Sequence, residues 1–194
     1  MEKDVYLIRW YGPFESRKEL LEWEIEDKPN EFFYLYLFQA KKKGKTKYDY
    51  YCGMTWHRKN SGACVANRMG DKNHHIHEYE KERPKSILIW VGTIVNKKSI
   101  SRPNVHLCET ILINDLSIFD VDDNHLVNKK DMTYNGDNDV YIINEWYDCN
   151  KQDDARYKQR PGGINAIPNL VPDVIVYHGN EKSYTYARKL TSRR

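Results

Sequence analysis

The sequence predicts a single α+β domain that spans residues 1–194. Short runs rich in aromatic and β-branched residues, which are typical of strands, occur among segments whose apolar residues recur at helical spacing. A chain of this length can bury a substantial hydrophobic core. Since no internal repeat or domain boundary stands out, residues 131–194 are interpreted as a C-terminal extension of β structure on the same domain.

Composition favours a soluble protein without a membrane partner. Hydrophobic residues make up 40% and charged residues 30%, and no apolar run approaches the roughly 20 residues that a membrane-spanning helix needs. The acidic N-terminus does not resemble a signal peptide, so we expect a cytoplasmic protein. The cysteines are widely spaced without a C-x-x-C pair, which predicts reduced thiols rather than a zinc site or a disulfide scaffold. They are Cys52, Cys64, Cys108 and Cys149.

The distribution of charge suggests a polyanionic partner more strongly than the net charge of +3 does. Basic residues gather in the segments 41–47, 57–85 and 188–194, whereas acidic residues collect at 115–139. Such segregation could form one basic face for nucleic-acid phosphates, but solvated surface lysines explain each cluster alone equally well. The candidate nucleic-acid contacts are Lys43, Lys45, Arg58, Lys158 and Arg160.

A strand and a helix are predicted at the start of the chain. Val5–Tyr11 has strand propensity, and Gly12–Pro13 is expected to end this strand. Ser16 and Glu19 form the S-x-x-E pattern with which helices begin, and Pro29 is expected to stop the helix. This strand and helix precede the segments that carry the candidate chemistry.

A hairpin with a basic tip is predicted next. Two aromatic runs, 32–38 and 48–53, enclose the lysine-rich segment. Alternation along the first strand predicts two faces, with Tyr34, Tyr36 and Phe38 on one and Phe33, Leu35 and Leu37 on the other. The second strand is expected to separate Asp49 and Tyr51 from Tyr48 and Tyr50 in the same way.

Further elements follow from apolar periodicity and from helix-ending residues. They are a short helix at 63–69 ended by Gly70, a central strand at 87–95, a helix at 105–116 opened by Pro103, and strands at 140–147 and 174–178. Glu109 borders the apolar stripe of the predicted helix at 105–116, one turn after Val105 and one turn before Ile113. A carboxylate so placed needs a salt-bridge partner or belongs to a functional site.

Six segments in a fixed order resemble the GIY-YIG nuclease family. They are YLYLF at 34–38, YYCGMT at 50–55, ANRM at 66–69, ILIWVG at 87–92, HLCETILI at 106–113 and LVNKK at 126–130. The resemblance covers about residues 32–130 and implies a small central antiparallel sheet flanked by helices. The predicted N-terminal strand and helix, and the extension at 131–194, which is expected to supply recognition, lie outside it. The first half-motif lacks the family's glycine, so either Tyr36 or Tyr34 could be its tyrosine; Tyr36 fits the flanking hydrophobic residues better.

The resemblance also implies a set of functional residues. Arg68 would neutralise the scissile phosphate, Glu109 would hold a divalent cation, and Asn128, rather than Asn124, would orient the phosphate. The full catalytic set it implies is Tyr36, Tyr51, Arg68, His74, Glu109 and Asn128. Without the other motifs, Glu109 would be interpreted as an ion-paired helix residue, and each tyrosine as a core residue.

The function that the resemblance implies is hydrolysis of phosphodiester bonds in DNA, with Mg²⁺ as cofactor and Mn²⁺ as the alternative ion. A hard cation can be held by a single carboxylate together with water molecules. Double-stranded DNA is the expected substrate, a restriction or defence role is favoured, and a homodimer is left open. The alternatives are a structure-specific repair or recombination nuclease, an inactive nucleic-acid-binding module, and a tyrosine-rich protein-interaction domain.

Overall fold

One mixed sheet of eight strands organises the chain in the computed structural model, which describes residues 3–28, 31–56, 65–118, 125–128, 133–149 and 166–187. The strand order is β5-β3-β2-β4-β1-β6-β7-β8. Pairs β1/β6 and β3/β5 are parallel, and the other neighbours are antiparallel. The strands are β1 Lys3–Phe14, β2 Leu35–Ala40, β3 Asp49–Met54, β4 Leu88–Ile94, β5 His125–Leu126, β6 Asp139–Asp148, β7 Val174–His178 and β8 Ser183–Ala187.

The described helices lie on both faces of this sheet. They are α1 Arg17–Glu26, α2 Val65–Met69, α3 Ile76–Glu82, α4 Arg102–Ser117 and α5 Ile167–Leu170, with a 3₁₀ turn at Pro84–Ser86. Residues of α4 and α5 join one buried cluster, which we call the α4 face, and residues of α1, α2 and α3 join the other, which we call the α1–α3 face. None of the described helices is long and apolar enough to cross a membrane.

Mixed α and β structure is confirmed, and strands β3, β2 and β4 pair antiparallel as expected, but they belong to a larger, mixed sheet. The N-terminal β1 and the C-terminal β6, β7 and β8 continue the same sheet on the far side of β4. The enlargement comes from β1, which pairs with β4 on one edge and, in parallel, with β6 on the other. Because β1 offers hydrogen-bonding groups on both edges, the C-terminal strands could add to the sheet through it.

Burial separates the sheet into two halves. Every residue of β2 is buried, because helices cover both faces of the sheet there. Buried and partly exposed residues alternate along β6, as expected where one face packs on the core and the other meets solvent. The continuous apolar run of the hairpin therefore belongs to the part of the sheet that is covered on both faces. The alternating pattern of β6 belongs to the part that is covered on one face.

Most of the predicted elements are confirmed within a few residues, and β1 is the main exception. It continues to Phe14, which pairs with Ile89, although Gly12–Pro13 was expected to end it. The register shifts between Tyr11 and Phe14, so a bulge takes up the Gly–Pro pair without ending the strand. Helix α3 lies in a charged segment for which the sequence predicted no element.

Glu24 ties two of the helices together. Its side chain is 6% exposed, and its two carboxylate oxygens accept hydrogen bonds from Val65 N at 2.9 Å and Ala66 N at 3.0 Å. These amides belong to the first turn of α2, where backbone N–H groups have no partner within the helix. A carboxylate at this end also interacts favourably with the helix dipole. The position of α2, and with it that of Arg68, therefore depends on α1.

Replacing Glu24 with alanine should destabilise the fold. We expect Glu24→Ala to lower the free energy of unfolding by about 2 kcal/mol, because two buried amides lose their acceptor. Glu22→Ala is the matched control, since Glu22 lies on the same helix but only forms an exposed pair with Lys18, a type of contact worth less than about 1 kcal/mol. Urea denaturation of both variants makes the comparison, and equal losses would contradict this role of Glu24.

Candidate active site

The candidate active site is built where β2 and β3 pair under α2 and α3. Tyr36 of β2 lies opposite Gly53 of β3, and Phe38 lies opposite Tyr51. The rings of Tyr36 and Tyr51 stack with their centroids 5.9 Å apart. The hairpin thus presents the two tyrosines side by side on the α1–α3 face.

Gly53 makes this arrangement sterically possible. A Cβ atom at position 53 would lie 2.4 Å from Cζ and 2.5 Å from Oη of Tyr36, and 2.7 Å from Cε1 of Tyr51. The phenol of Tyr36 therefore extends across the backbone of Gly53. The glycine of the Tyr51-Cys52-Gly53 segment is needed for space, because any side chain there would displace both rings.

The structure separates Tyr34 from Tyr36. Tyr34 packs against the α4 face, whereas Phe33 joins the buried cluster of the α1–α3 face. The predicted alternation is therefore wrong for Phe33 and Tyr34, although it is confirmed for residues 35–38. Regular alternation requires extended strand geometry, and β2 begins only at Leu35. The structure thus brings Tyr36, and not Tyr34, together with Tyr51.

His74 contacts Tyr36 from the segment that precedes α3. Its Nε2 lies 2.9 Å from Tyr36 Oη, and its Nδ1 accepts a hydrogen bond from Ile76 N at 3.2 Å. A neutral imidazole whose Nδ1 accepts must carry its proton on Nε2. His74 is therefore the donor to the Tyr36 hydroxyl. Burial lowers the pKa of His74 to about 4, with Arg68 and nearby histidines adding to the effect, so the ring is neutral near pH 7.

The hydrogen bonds run in one direction from His74 to Tyr51. Burial raises the pKa of Tyr36 well above its usual value, and its hydrogen bond to Tyr51 raises it further. Burial also raises the pKa of Tyr51, but the bond to Tyr36 lowers it. Tyr36 therefore donates its proton to Tyr51, and Tyr51 is the phenol of the pair that more readily becomes an anion. Since Tyr36 is 0% exposed and Tyr51 is only partly buried, Tyr51 is the one that can meet a ligand.

Arg68 and Glu109 act on the same two phenols with opposite signs. Besides burial, the Arg68 guanidinium lowers the pKa of Tyr36 and of Tyr51, and the Glu109 carboxylate raises both. Arg68 lies on the last turn of α2, as predicted, and its half-exposed side chain pairs with Asp71. An arginine that is neither buried nor enclosed can turn from a surface carboxylate to a bound phosphate.

Glu109 approaches this group from the other side of the sheet. It is 9% exposed on α4, which packs against β3, and its carboxylate raises the pKa of the buried Cys52 thiol in addition to the effect of burial. Since β3 is near the edge of the sheet, residues from both faces can converge there. Among the described residues, no three or more histidine, cysteine, aspartate or glutamate side chains form a metal-binding group.

Asn128 lies beside the site and supports the backbone of β3. Its Oδ1 accepts from Cys52 N at 2.9 Å, and its Nδ2 donates to Cys52 O at 2.7 Å. On the edge of β3 that faces away from β2, no strand in the described ranges pairs after Tyr50, so the amide of Asn128 takes the place of a neighbouring strand there for one residue. One N–H and one lone pair of this amide remain for another contact. The predicted contact with phosphate stays a prediction.

Other predicted residues lie away from the tyrosine pair. The exposed Lys43 and Lys45 are in the hairpin tip, whose backbone is attached to α3 and the residue after it through Glu82 and Arg83. His77 turns to Glu80 and to the backbone of Asp71, so the three histidines of the segment do not converge on one ion. Several predicted residues are outside the described residues, namely Arg58, Asn124, Lys158 and Arg160.

Two residues that shape the site did not figure among the predicted functional residues. Glu24 fixes α2, and Asp71 pairs with Arg68. The signal for Glu24 was present in the sequence, since it lies one helical turn after Leu20 on the buried side of α1. The same reasoning that marks Glu109 as an acidic residue beside an apolar stripe applies to Glu24.

Comparisons of the chain with protein-family models, curated proteins and solved structures found no match. The resemblance to GIY-YIG nucleases therefore stays a prediction that rests on the order of the motifs. The geometry of the site is independent of that resemblance.

Acidification should destabilise the protein through His74. The unfolded chain binds a proton on histidine near pH 6.5, whereas folded His74 binds it only near pH 4. The contribution of neutral His74 to the free energy of unfolding is therefore fully present above pH 6.5 and decreases as the pH falls towards 4. Between about pH 7 and about pH 5 we expect the wild type to lose about 2 kcal/mol more than His74→Gln does.

Urea denaturation at both pH values measures this difference. His178→Gln is the control, since His178 lies on β7 and not beside His74, and the pH dependence of this variant should match that of the wild type. A His74→Gln variant with the same pH dependence as the wild type would show that the buried imidazole does not oppose protonation.

Proposed function

We propose that this protein is a divalent-metal-dependent endonuclease that hydrolyses phosphodiester bonds in DNA, with a restriction or defence role favoured over structure-specific repair. The observation that carries the proposal is that Tyr36, Tyr51 and His74 lie together beside Gly53, and that the charges of Arg68 and Glu109 both act on the two phenols. Phosphodiester hydrolysis requires an activated water, neutralisation of the phosphate and stabilisation of the leaving oxygen. The group contains side chains suited to each of these tasks.

Tyr51 is the best candidate for the group that orients and deprotonates the attacking water. It is the partly exposed member of the phenol pair, and as an anion it would accept the hydrogen bond from Tyr36 and gain from the Arg68 charge. Tyr36 and His74 would hold Tyr51 in place from the buried side. Burial still raises the pKa of Tyr51, so it would act as a base only after a ligand brings further positive charge.

Glu109 is the residue that would hold the cation. Its carboxylate is a hard oxygen ligand, and a single carboxylate suits an ion that keeps several waters and binds substrate phosphate. Mg²⁺ binds proteins in this way, and Mn²⁺ can often replace it. Such an ion would supply charge stabilisation for the phosphate and the leaving oxygen. Arg68 would provide a planar pair of donors to the same phosphate.

The basic hairpin tip fits contacts to DNA at a distance from the bond that is cut. Tyr36 and Ala40 are four residues apart along β2, which corresponds to about 13 Å of extended chain. At about 3.4 Å of helix axis per nucleotide on one strand, this separation covers about four nucleotides. Lys43 and Lys45 are exposed and could contact phosphates there without taking part in the chemistry.

Replacing Glu109 tests the proposal directly. Purified protein should cleave plasmid DNA in the presence of Mg²⁺ or Mn²⁺, and Glu109→Gln should lower the rate by about a hundredfold or more, since charge stabilisation of this kind is worth that much. Glu26→Gln is the control, because Glu26 is an exposed glutamate on α1. Gel electrophoresis of time points measures both rates, and discrete fragments would indicate recognition of a sequence.

Two results would reject the nuclease proposal. One is the absence of cleavage across varied plasmids and divalent ions, and the other is cleavage that Glu109→Gln leaves unchanged. Salt-sensitive DNA or RNA binding without cleavage would instead identify an inactive binding module.

The two candidate tyrosines can be separated by removing one hydroxyl at a time. Tyr36→Phe breaks the chain of hydrogen bonds from His74 to Tyr51 and should slow cleavage by about a hundredfold, the typical loss for a group that assists proton transfer. Tyr34→Phe should leave the rate unchanged, because Tyr34 packs on the α4 face. Single-turnover cleavage with saturating metal compares them, and the reverse order of effects would refute the assignment of Tyr36.

A further inference from the structure

A cavity of about 480 Å³ lies beside α4. Its walls come from the N-terminal half of α4 and from the segment before β6. The lining residues are Arg102, Pro103, His106, Leu107, Thr110, Thr133 and Tyr134. None of the residues used for the proposed function is among them.

Helical spacing explains why these side chains of α4 share one surface. Pro103, Leu107 and Thr110 recur every three to four residues and so lie on one side of the helix. Glu109 precedes Thr110 and points about 100° away around the helix axis. Pro103, Leu107 and Thr110 therefore lie on a different side of α4 from Glu109, whereas Arg102 and His106, seven and three residues before it, lie nearer to the side of Glu109. Thr110, which is 5% exposed, forms the deep part of the cavity.

An aromatic wall faces this side of α4. The ring of Tyr134 contacts Tyr177 edge to face, with centroids 4.8 Å apart, and Tyr177 is 0% exposed. A buried neighbour holds the Tyr134 ring in place, so the wall is preformed. Together with Leu107 and Pro103 it offers a planar apolar surface of the kind on which nucleobases stack.

Arg102 gives the cavity a positive charge among the described residues that line it. Arg102 is exposed, and none of the described residues pairs with its guanidinium. His106 stands one turn further along the same side of the helix, and no aspartate or glutamate is among the described residues that line the cavity. The planar fork of donors of Arg102 suits a phosphate. The size of the cavity falls within the range for small ligands.

We infer that this cavity is a binding site for a nucleotide, with the base against Tyr134 and the phosphate at Arg102. The nucleotide is either a free mononucleotide or the 5′-phosphorylated end of a DNA strand, because both offer the same base and phosphate. The site goes beyond the proposed function, since it requires neither Glu109 nor cleavage.

Isothermal titration calorimetry tests the inference with deoxyadenosine 5′-monophosphate, deoxyadenosine and inorganic phosphate. The mononucleotide should bind with a Kd of about 1 mM or tighter, and each half alone should bind at least about tenfold more weakly, since base and phosphate contacts each contribute. Arg102→Gln and Tyr134→Leu should each weaken binding of the mononucleotide by about tenfold. Lys85→Gln, an exposed change on the 3₁₀ turn, should leave the Kd unchanged.

Further titrations distinguish the two sources of the nucleotide and keep this site separate from the active site. Competition by a short 5′-phosphorylated DNA strand, but not by the same strand with a 5′-hydroxyl, would assign a strand end; no competition by either would assign a free nucleotide. Glu109→Gln protein should bind the mononucleotide with unchanged affinity, so loss of cleavage and loss of this site are independent results. Binding of neither mononucleotide nor strand end, or equal binding by Arg102→Gln, would overturn the inference.

Discussion

The close approach of the Tyr36 phenol to the backbone of Gly53 is the constraint on which the candidate site depends. The Tyr36 side chain can cross the backbone at position 53 only because glycine has no Cβ there. Such an atom would lie 2.4 Å from Tyr36 Cζ. That crossing brings its hydroxyl to His74 and Tyr51 together. A site assembled in this way is a property of the hairpin register, since a slip of one residue would turn Tyr36 and Gly53 to opposite faces.

Burial then decides what each phenol can do. Two tyrosines of the same chemistry differ here because Tyr36 is fully enclosed whereas Tyr51 is half-buried, and because the hydrogen bond between them favours charge on Tyr51. The neutral His74 strengthens this order, since its Nε2–H donates to Tyr36 and leaves the Tyr36 proton for Tyr51. An interior histidine that cannot accept a proton near pH 7 is better suited to fixing a direction of hydrogen bonding than to acting as a base.

The sequence predicted the local features and missed those that depend on distant contacts. The hairpin, the helix that carries Arg68 and the central strand could be predicted because periodicity and turn residues are local signals. The exchange of faces between Phe33 and Tyr34 could not, because it depends on where β2 begins to pair with its neighbours. The parallel pairing of β1 with β6 joins residues more than 130 positions apart, and no local pattern specifies it.

The two halves of the sheet differ in how densely their side chains are packed, and the candidate site lies in the denser half. Around β2 and β4, helices on both faces bury nearly every side chain, so the tyrosine pair is held by dense packing that resists displacement. Precise placement matters most for groups that exchange protons or meet a phosphate. In the other half, buried and partly exposed residues alternate along β6 and β7, and none of the residues of β8 is buried, so the exposed side of this half can vary in sequence without disturbing the core. Helix α4 packs on β3 with one side and borders the cavity beside Tyr134 with another, so it is the element through which ligands at the two places could influence each other.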